Sequence, residues 1–322
     1  MSERLVWVDS VKGIAIIMVI LGHITLPEYL HALIYSVHMP LFFLLSGLVL
    51  FHKERPWKDD FKIKVRTLII PYLAFSAINL VFFDILVPLV FYNSFHIEDF
   101  WSSVTSLFIG ERTRLWFLPC LFLSELLLIS IPVVRQRKVT CCVVFAVCGC
   151  LLNALMEKGT VPLMLDRILI STSLVLMGTL IIQRPMNFTP AKILSLGAIY
   201  ALLVNLSMRS VGNMGVDMFS DHYGNYLYFY TVALTGILLI IYISKRFLCF
   251  RVLSFIGKNT LLIYCMHFIF IFMVQLLFTY IHIDHLNVLL VALIELTLVC
   301  LLCVPTIYVV NRYIPSLVGK KR

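Results

Sequence analysis

Ten apolar stretches, divided by short loops that hold most of the charge, constrain this chain more than any other feature. They fall at roughly 5–26, 36–52, 67–92, 115–134, 139–156, 163–182, 190–208, 226–244, 254–281 and 288–310. A helix needs about 20 mostly apolar residues to cross a hydrocarbon core. Inside lipid every backbone N–H and C=O must be satisfied within the protein, so only helices and closed barrels can span. Continuous apolar runs, rather than strict alternation, select helices. The expectation is an all-α polytopic bundle of about ten transmembrane helices. Stretch 67–92 exceeds one crossing and carries Pro71 and Pro88, which predicts a tilt or a break. Segment 98–109 reads as a short helix on the membrane surface.

Composition agrees and excludes other classes. Hydrophobic residues make up 61% and charged residues 13% of 322, with mean hydropathy +0.98; soluble domains carry about 25% charged residues. Lipid is therefore the solvent of the excess apolar surface. A soluble enzyme, a disordered chain and a nucleic-acid-binding domain are disfavoured together, so membrane lipids are expected as partners and nucleic acid is not. The net charge of +9 first reports topology. With the N-terminus inside and ten alternating spans, 21 of the 26 Lys and Arg fall on the cytoplasmic side, against Arg112, Arg114, Lys158, Arg167 and Arg209 outside. Both termini are then cytoplasmic. No removable signal peptide is read at the start, and the first apolar segment acts as an anchor. No repeat, linker or second domain interrupts residues 1–322, which read as one integral-membrane domain. Eight of the nine cysteines, Cys120, Cys141, Cys142, Cys148, Cys150, Cys265, Cys300 and Cys303, lie in apolar runs. They do not resemble a disulfide framework.

Ionisable groups within a bilayer need a partner or a purpose. In the first span, Asp9, Lys12 and His23 share one helical stripe, because Lys12 to His23 is 1100° at 100° per residue. Lys12 and His23 are about 16 Å apart along the axis, a cation at the inner mouth and an imidazole deep on the same face. In the bland alternative Asp9 caps, Lys12 snorkels and His23 bonds a neighbouring helix. His38 opens the second span as His38-Met39-Pro40, 15 residues after His23 across a turn containing Pro27. Two histidines at one depth suit proton transfer near neutral pH; His38 as a helix-start cap is the alternative.

The spacing D-x-x-[RK]-G-x-A-x(7)-H, followed by H-M-P-L-F-F-x-x-S-G with Ser46 and Gly47, resembles acyltransferase family 3. These are bacterial integral-membrane O-acyltransferases that modify surface glycans. Leu115-Trp116-Phe117-Leu118 and the segment from Gly257 through Tyr264 to His267 are similar to two further motifs of that family. The resemblance implies ten spans in a bacterial inner (plasma) membrane. It also implies an acyl-CoA co-substrate, first of all acetyl-CoA, no bound cofactor, and a glycan or lipid-linked sugar acceptor. His23 would be the general base, with Asp9 and Lys12 ordering the inner end. His38 and Glu125 join them as catalytic candidates, with Ser46, Trp116, Tyr264 and His267 in support. The family's basic signature is imperfect here, since Lys62, Lys64 and Arg66 alternate and Thr67 stands where an arginine is expected. Those three cations are the candidates for the acyl-CoA phosphates.

Other polar groups are weighed beside these. Asp166 and Arg167 read as an adjacent ion pair, and Asp84 and Glu295 as packing or pathway groups. His282, Asp284 and His285 form a weak metal pattern, and no metal is expected. The outer segment 209–226 offers Asp217, Asp221, His222, Tyr223, Asn225 and Tyr226, which suit a sugar or a solvated loop. A second functional class, a polytopic transporter or flippase for a glycan precursor or small polar solute, would also line a pathway with buried charges. It does not require the spacing of His23 and His38.

Overall fold

The computed structural model describes residues 6–50, 55–109, 113–156, 161–181, 189–210, 216–247, 251–283 and 286–320. Among them the chain is helical throughout, and an isolated antiparallel bridge between Asp217 and His222 is the one β-type pairing. The helices are α1 (Val6–Gly22), α2 (Glu28–Tyr35), α3 (His38–Leu50), α4 (Trp57–Phe91), α5 (Ile97–Ile109), α6 (Phe117–Ser130) and α7 (Lys138–Leu155). Then come α8 (Leu165–Ile181), α9 (Pro190–Ser210), α10 (Tyr226–Phe247), α11 (Arg251–Lys258), α12 (Thr260–Ile281) and α13 (Val288–Tyr313). Eight helical segments are long and apolar enough to cross a membrane. The 14-residue α6 and the 17-residue α1 complete the ten segments expected.

Three boundaries differ from expectation for physical reasons. The second span is not 36–52 but a run from Glu28 to Leu48, in which α2 stacks end to end on α3. The polar Tyr29 and His31 had hidden that first part. The stretch 67–92 is one continuous helix from Trp57 to Phe91, neither broken nor confined to the apolar run. It contains two widened π-helical turns, at Val65–Ile69 and Val81–Leu86, just before Pro71 and Pro88. A proline ring clashes with the carbonyl four residues back and offers no N–H, and a π-turn accommodates both without breaking the helix. The span expected at 254–281 is divided at Asn259 into the amphipathic α11 and the spanning α12. At that break Asn259 Nδ2 donates to Phe255 O, and Asn311 Nδ2 of α13 donates to Asn259 Oδ1. The short helix expected at 98–109 is α5.

The bundle centres on α1, α3 and α8. α8 presents buried Ser171, Thr172 and Ser173, small residues that let helices approach in lipid. α1 lies against α11 so closely that a Cβ on Gly257 would run into Asp9 O, and one on Gly13 into Leu253 O. The lipid-facing sides of α9 and α13 stay apolar, with Leu202 and Leu301 each 60% exposed. The eight cysteines among the described residues are free.

Candidate active site

Two cavities lie along α1, one toward each end. The outer one, about 540 Å³, is lined by His23, Tyr35, His38, Trp116, Tyr264 and Phe268, with Asp84, Arg114 and the segment Asp217–Phe219 around its mouth. His23 follows the end of α1, and the turn through Pro27 returns the chain so that His38 opens α3 beside it. The His38 Nδ1–H donates to Ile34 O at 2.8 Å, which fixes the tautomer and leaves Nε2 as the second ring nitrogen. His267, fully buried, stands behind His23 with ring centroids 5.2 Å apart. Its Nδ1–H donates to Tyr264 O, and its Nε2 is buried without a partner. Phe268 packs on His23 at 4.5 Å.

The inner cavity, about 230 Å³, is lined by Lys12, Phe42, Ser46, Phe117, Glu125 and Tyr264. Its walls are mainly apolar; its charged lining residues are Lys12 and Glu125, and Glu125 Oε2 is paired with Lys64 Nζ at 2.9 Å. Glu125 is 3% exposed, so this carboxylate depends on its partner. Ser46 Oγ donates to Phe43 O. Tyr264 lines both cavities and forms the wall between them, its ring 5.6 Å from Phe117.

The structure thus distributes the sequence candidates between two sites. His23, His38, Trp116 and Tyr264 meet in the outer cavity, with His267 behind it. Lys12, Ser46, Glu125 and Lys64 meet in or beside the inner one. Asp9 lines neither cavity; it is buried where α1 meets α11. The three cations do not form one cluster, because Lys64 turns inward to Glu125. Lys62 and Arg66 instead line a separate cleft of about 340 Å³ with Phe61, Ile70, Ser316 and Leu317. Of the metal pattern, residues 284 and 285 lie outside the described residues. Among the described ones no three His, Cys, Asp or Glu side chains gather into a metal site.

The outer loop is built differently from either sequence reading. Arg167 does not pair with its neighbour Asp166. Its Nε and Nη2 donate to Asp221 Oδ1 at 3.0 and 2.7 Å, and Nη2 also donates to Phe219 O at 2.8 Å. The guanidinium lies 5.2 Å over the Trp116 ring. Asp166 accepts instead from Asn153 Nδ2, whose amide oxygen accepts from Tyr226. Asp221 takes a left-handed backbone conformation, φ 56°, at the end of the turn closed by the Asp217–His222 bridge. Burial pushes its carboxyl up from the ordinary value while Arg167 pulls it down. Tyr223 is buried and Asn225 caps α10, so of the six candidate sugar ligands only Asp217 faces the cavity. Arg114 and Asp84 are cavity residues that sequence reasoning had not placed there, and Arg167 holds Trp116 and the Asp217–Phe219 segment from behind. Asp84 Oδ2 pairs with Arg114 at 3.6 Å, and burial lowers the Arg114 guanidinium against that pull. The only signal for Arg114 was its position two residues before Trp116.

A family model described as an acyltransferase domain matches residues 5–311, nearly the whole chain. No curated protein and no solved structure matches it.

Proposed function

The chain belongs to that acyltransferase family and is a multi-pass membrane acyltransferase, and from this premise we propose an O-acyltransferase. It moves an acyl group, in the first instance acetyl, from cytoplasmic acyl-CoA to a hydroxyl of a surface glycan or lipid-linked sugar, in a bacterial inner membrane. The observation that carries this reading is the pair of cavities meeting at Tyr264, with imidazoles on the outer side and ammonium groups on the inner side.

In this reading the acceptor hydroxyl enters the outer cavity and His23 takes its proton as the oxygen bonds to the thioester carbon. The C–S bond then breaks, and the thiolate leaves with the proton held by His23. His38, its tautomer fixed by Ile34 O, and His267, held by Tyr264 O, are the oriented imidazoles beside His23. The acyl-CoA arm approaches from the inner cavity past Lys12 and Lys64, and Tyr264 must yield for the thioester to reach His23. Lys62 and Arg66 are placed to meet phosphates at the cytoplasmic surface.

The test is mass spectrometry of surface glycans and lipid-linked sugars from cells with the intact gene, a deletion, and His23→Ala. An added acetyl mass present only with the intact gene supports the reading and puts His23 in the chemistry. No mass difference, with His23→Ala protein inserted normally, overturns it in favour of transport.

A further inference from the structure

Beside the outer cavity lies a smaller one of about 110 Å³, between α4 and α5. Asp84, Ser103, Thr113 and Arg114 line both, so the two adjoin there. Beyond those shared residues the walls mix polar groups, Ser102 and Ser106 from α5 and Ser76 and Asn79 from α4, with the apolar faces of Leu80, Leu107 and Leu115. Ser102, Ser103 and Ser106 share a face of α5 by their spacing.

Asn79 gives this cavity a direction. It is 3% exposed, and its Nδ2 donates to Phe75 O at 2.8 Å and Cys265 O at 3.0 Å. Both amide hydrogens are therefore used, and flipping the group would set Oδ1 against two carbonyls. Oδ1 is fixed, buried and without a partner. A buried acceptor left unpaired is costly, so the site is complete only when something supplies an O–H or N–H. Asp84 is a second acceptor, already taking Ser103 Oγ at 3.0 Å, and the serines can donate or accept. Arg114 has its charge met by Asp84 and its plane laid on Phe83 at 4.2 Å, so it does not call for an anion. Close-set donors and acceptors with a balanced charge match a ring of hydroxyls.

We propose that this side cavity is a second sugar subsite, holding the unit next to the one acylated. The acceptor is then a glycan of at least two linked units. This rests on the reading of the outer cavity as the acceptor site, and it adds the acceptor's minimum length and the residues that measure it.

The experiment compares one-unit and two-unit fragments of the host's surface glycan as acceptors for the detergent-purified protein with acetyl-CoA. The wild type should show a KM about tenfold lower for two units than for one, the scale of one well-made polar contact set. Ser106→Phe, which fills the cavity from a surface helix, should bring that ratio to within about twofold. Ser102→Phe gives an independent filling, and Leu202→Ala on the lipid side should keep the wild-type ratio. Equal KM values in the wild type, or a ratio unchanged in both filled variants, overturns the subsite. If no fragment is acylated, thermal shifts with each fragment alone separate the two ideas. A larger shift with two units, lost in Ser106→Phe, supports the subsite although acyl transfer fails; equal shifts overturn it.

Discussion

The two cavities along α1 handle polar groups in opposite ways. In the inner one the buried carboxylate is paired within the protein, Glu125 with Lys64 at 2.9 Å, beside apolar walls that also carry Lys12. In the outer one the imidazoles of His38 and His267 are each tied through Nδ1 to a backbone carbonyl, which leaves the second nitrogen of each ring. A carbonyl orients an imidazole and fixes its tautomer, whereas a carboxylate would also favour its charged form. One end of the bundle therefore holds a carboxylate paired with an ammonium, and the other holds imidazoles oriented by backbone carbonyls. Tyr264 separates them.

The largest expected effect falls on the outer end. His23→Asn should lower acyl transfer about 10²–10⁴-fold, the range for loss of a general base, while the protein still inserts and binds acyl-CoA. Equal loss of acyl-CoA binding would break the division of labour between the cavities.

Next in size, Glu125→Gln should cost about 3–5 kcal/mol in thermal denaturation, because Lys64 is then left without its carboxylate. The double variant Lys64→Met/Glu125→Gln should recover most of that. Additive losses would show that the pair is not the unit holding the inner end. Gly257→Ala, which disturbs the α1–α11 contact beside Lys12, should cost about 1–3 kcal/mol of stability and leave the acceptor KM alone.

Arg167→Lys keeps the charge but loses the fork that holds Asp221, Phe219 O and Trp116. It should raise the acceptor KM about tenfold with the acyl-CoA KM unchanged, because the segment Asp217–Phe219 faces only the outer cavity. The smallest effect is expected at the separate cleft, where Lys62→Gln should raise the acyl-CoA KM by about two- to threefold, since a single exposed charge contributes little. An unchanged acyl-CoA KM in both Lys62→Gln and Arg66→Gln would remove the cleft from the phosphate site.

Much of this was legible in the sequence, and the boundary is physical. The ten segments follow from local hydropathy, and the stripe of Lys12 and His23 follows from helical phase. What the phase could not show is that the stripe's two ends open into different cavities. Arg167 was matched to Asp166 by adjacency, yet neighbours on a helix point about 100° apart. Its partner lies 54 positions away, on a turn set by tertiary contacts. Lys62, Lys64 and Arg66 looked like one cluster by closeness in sequence, but residues two apart on a helix point about 200° from each other, so Lys64 faces away from Lys62 and Arg66. The amide of Asn79 carried no signal at all, since its meaning depends on the carbonyl of Cys265.

Those widened turns in α4 have a further consequence. A regular helix counts residues rigidly: adding or removing one rotates everything beyond it by about 100°. A π-turn is the place where a single extra residue has been absorbed. α4 sends Lys64 to the inner cavity at one end and Asp84 to the outer cavity at the other, with one such turn beside each. Each turn is therefore a phase adjuster, and removing one residue from Val81–Leu86 should let that turn close into regular helix while Lys64 and Asp84 keep the faces they now present.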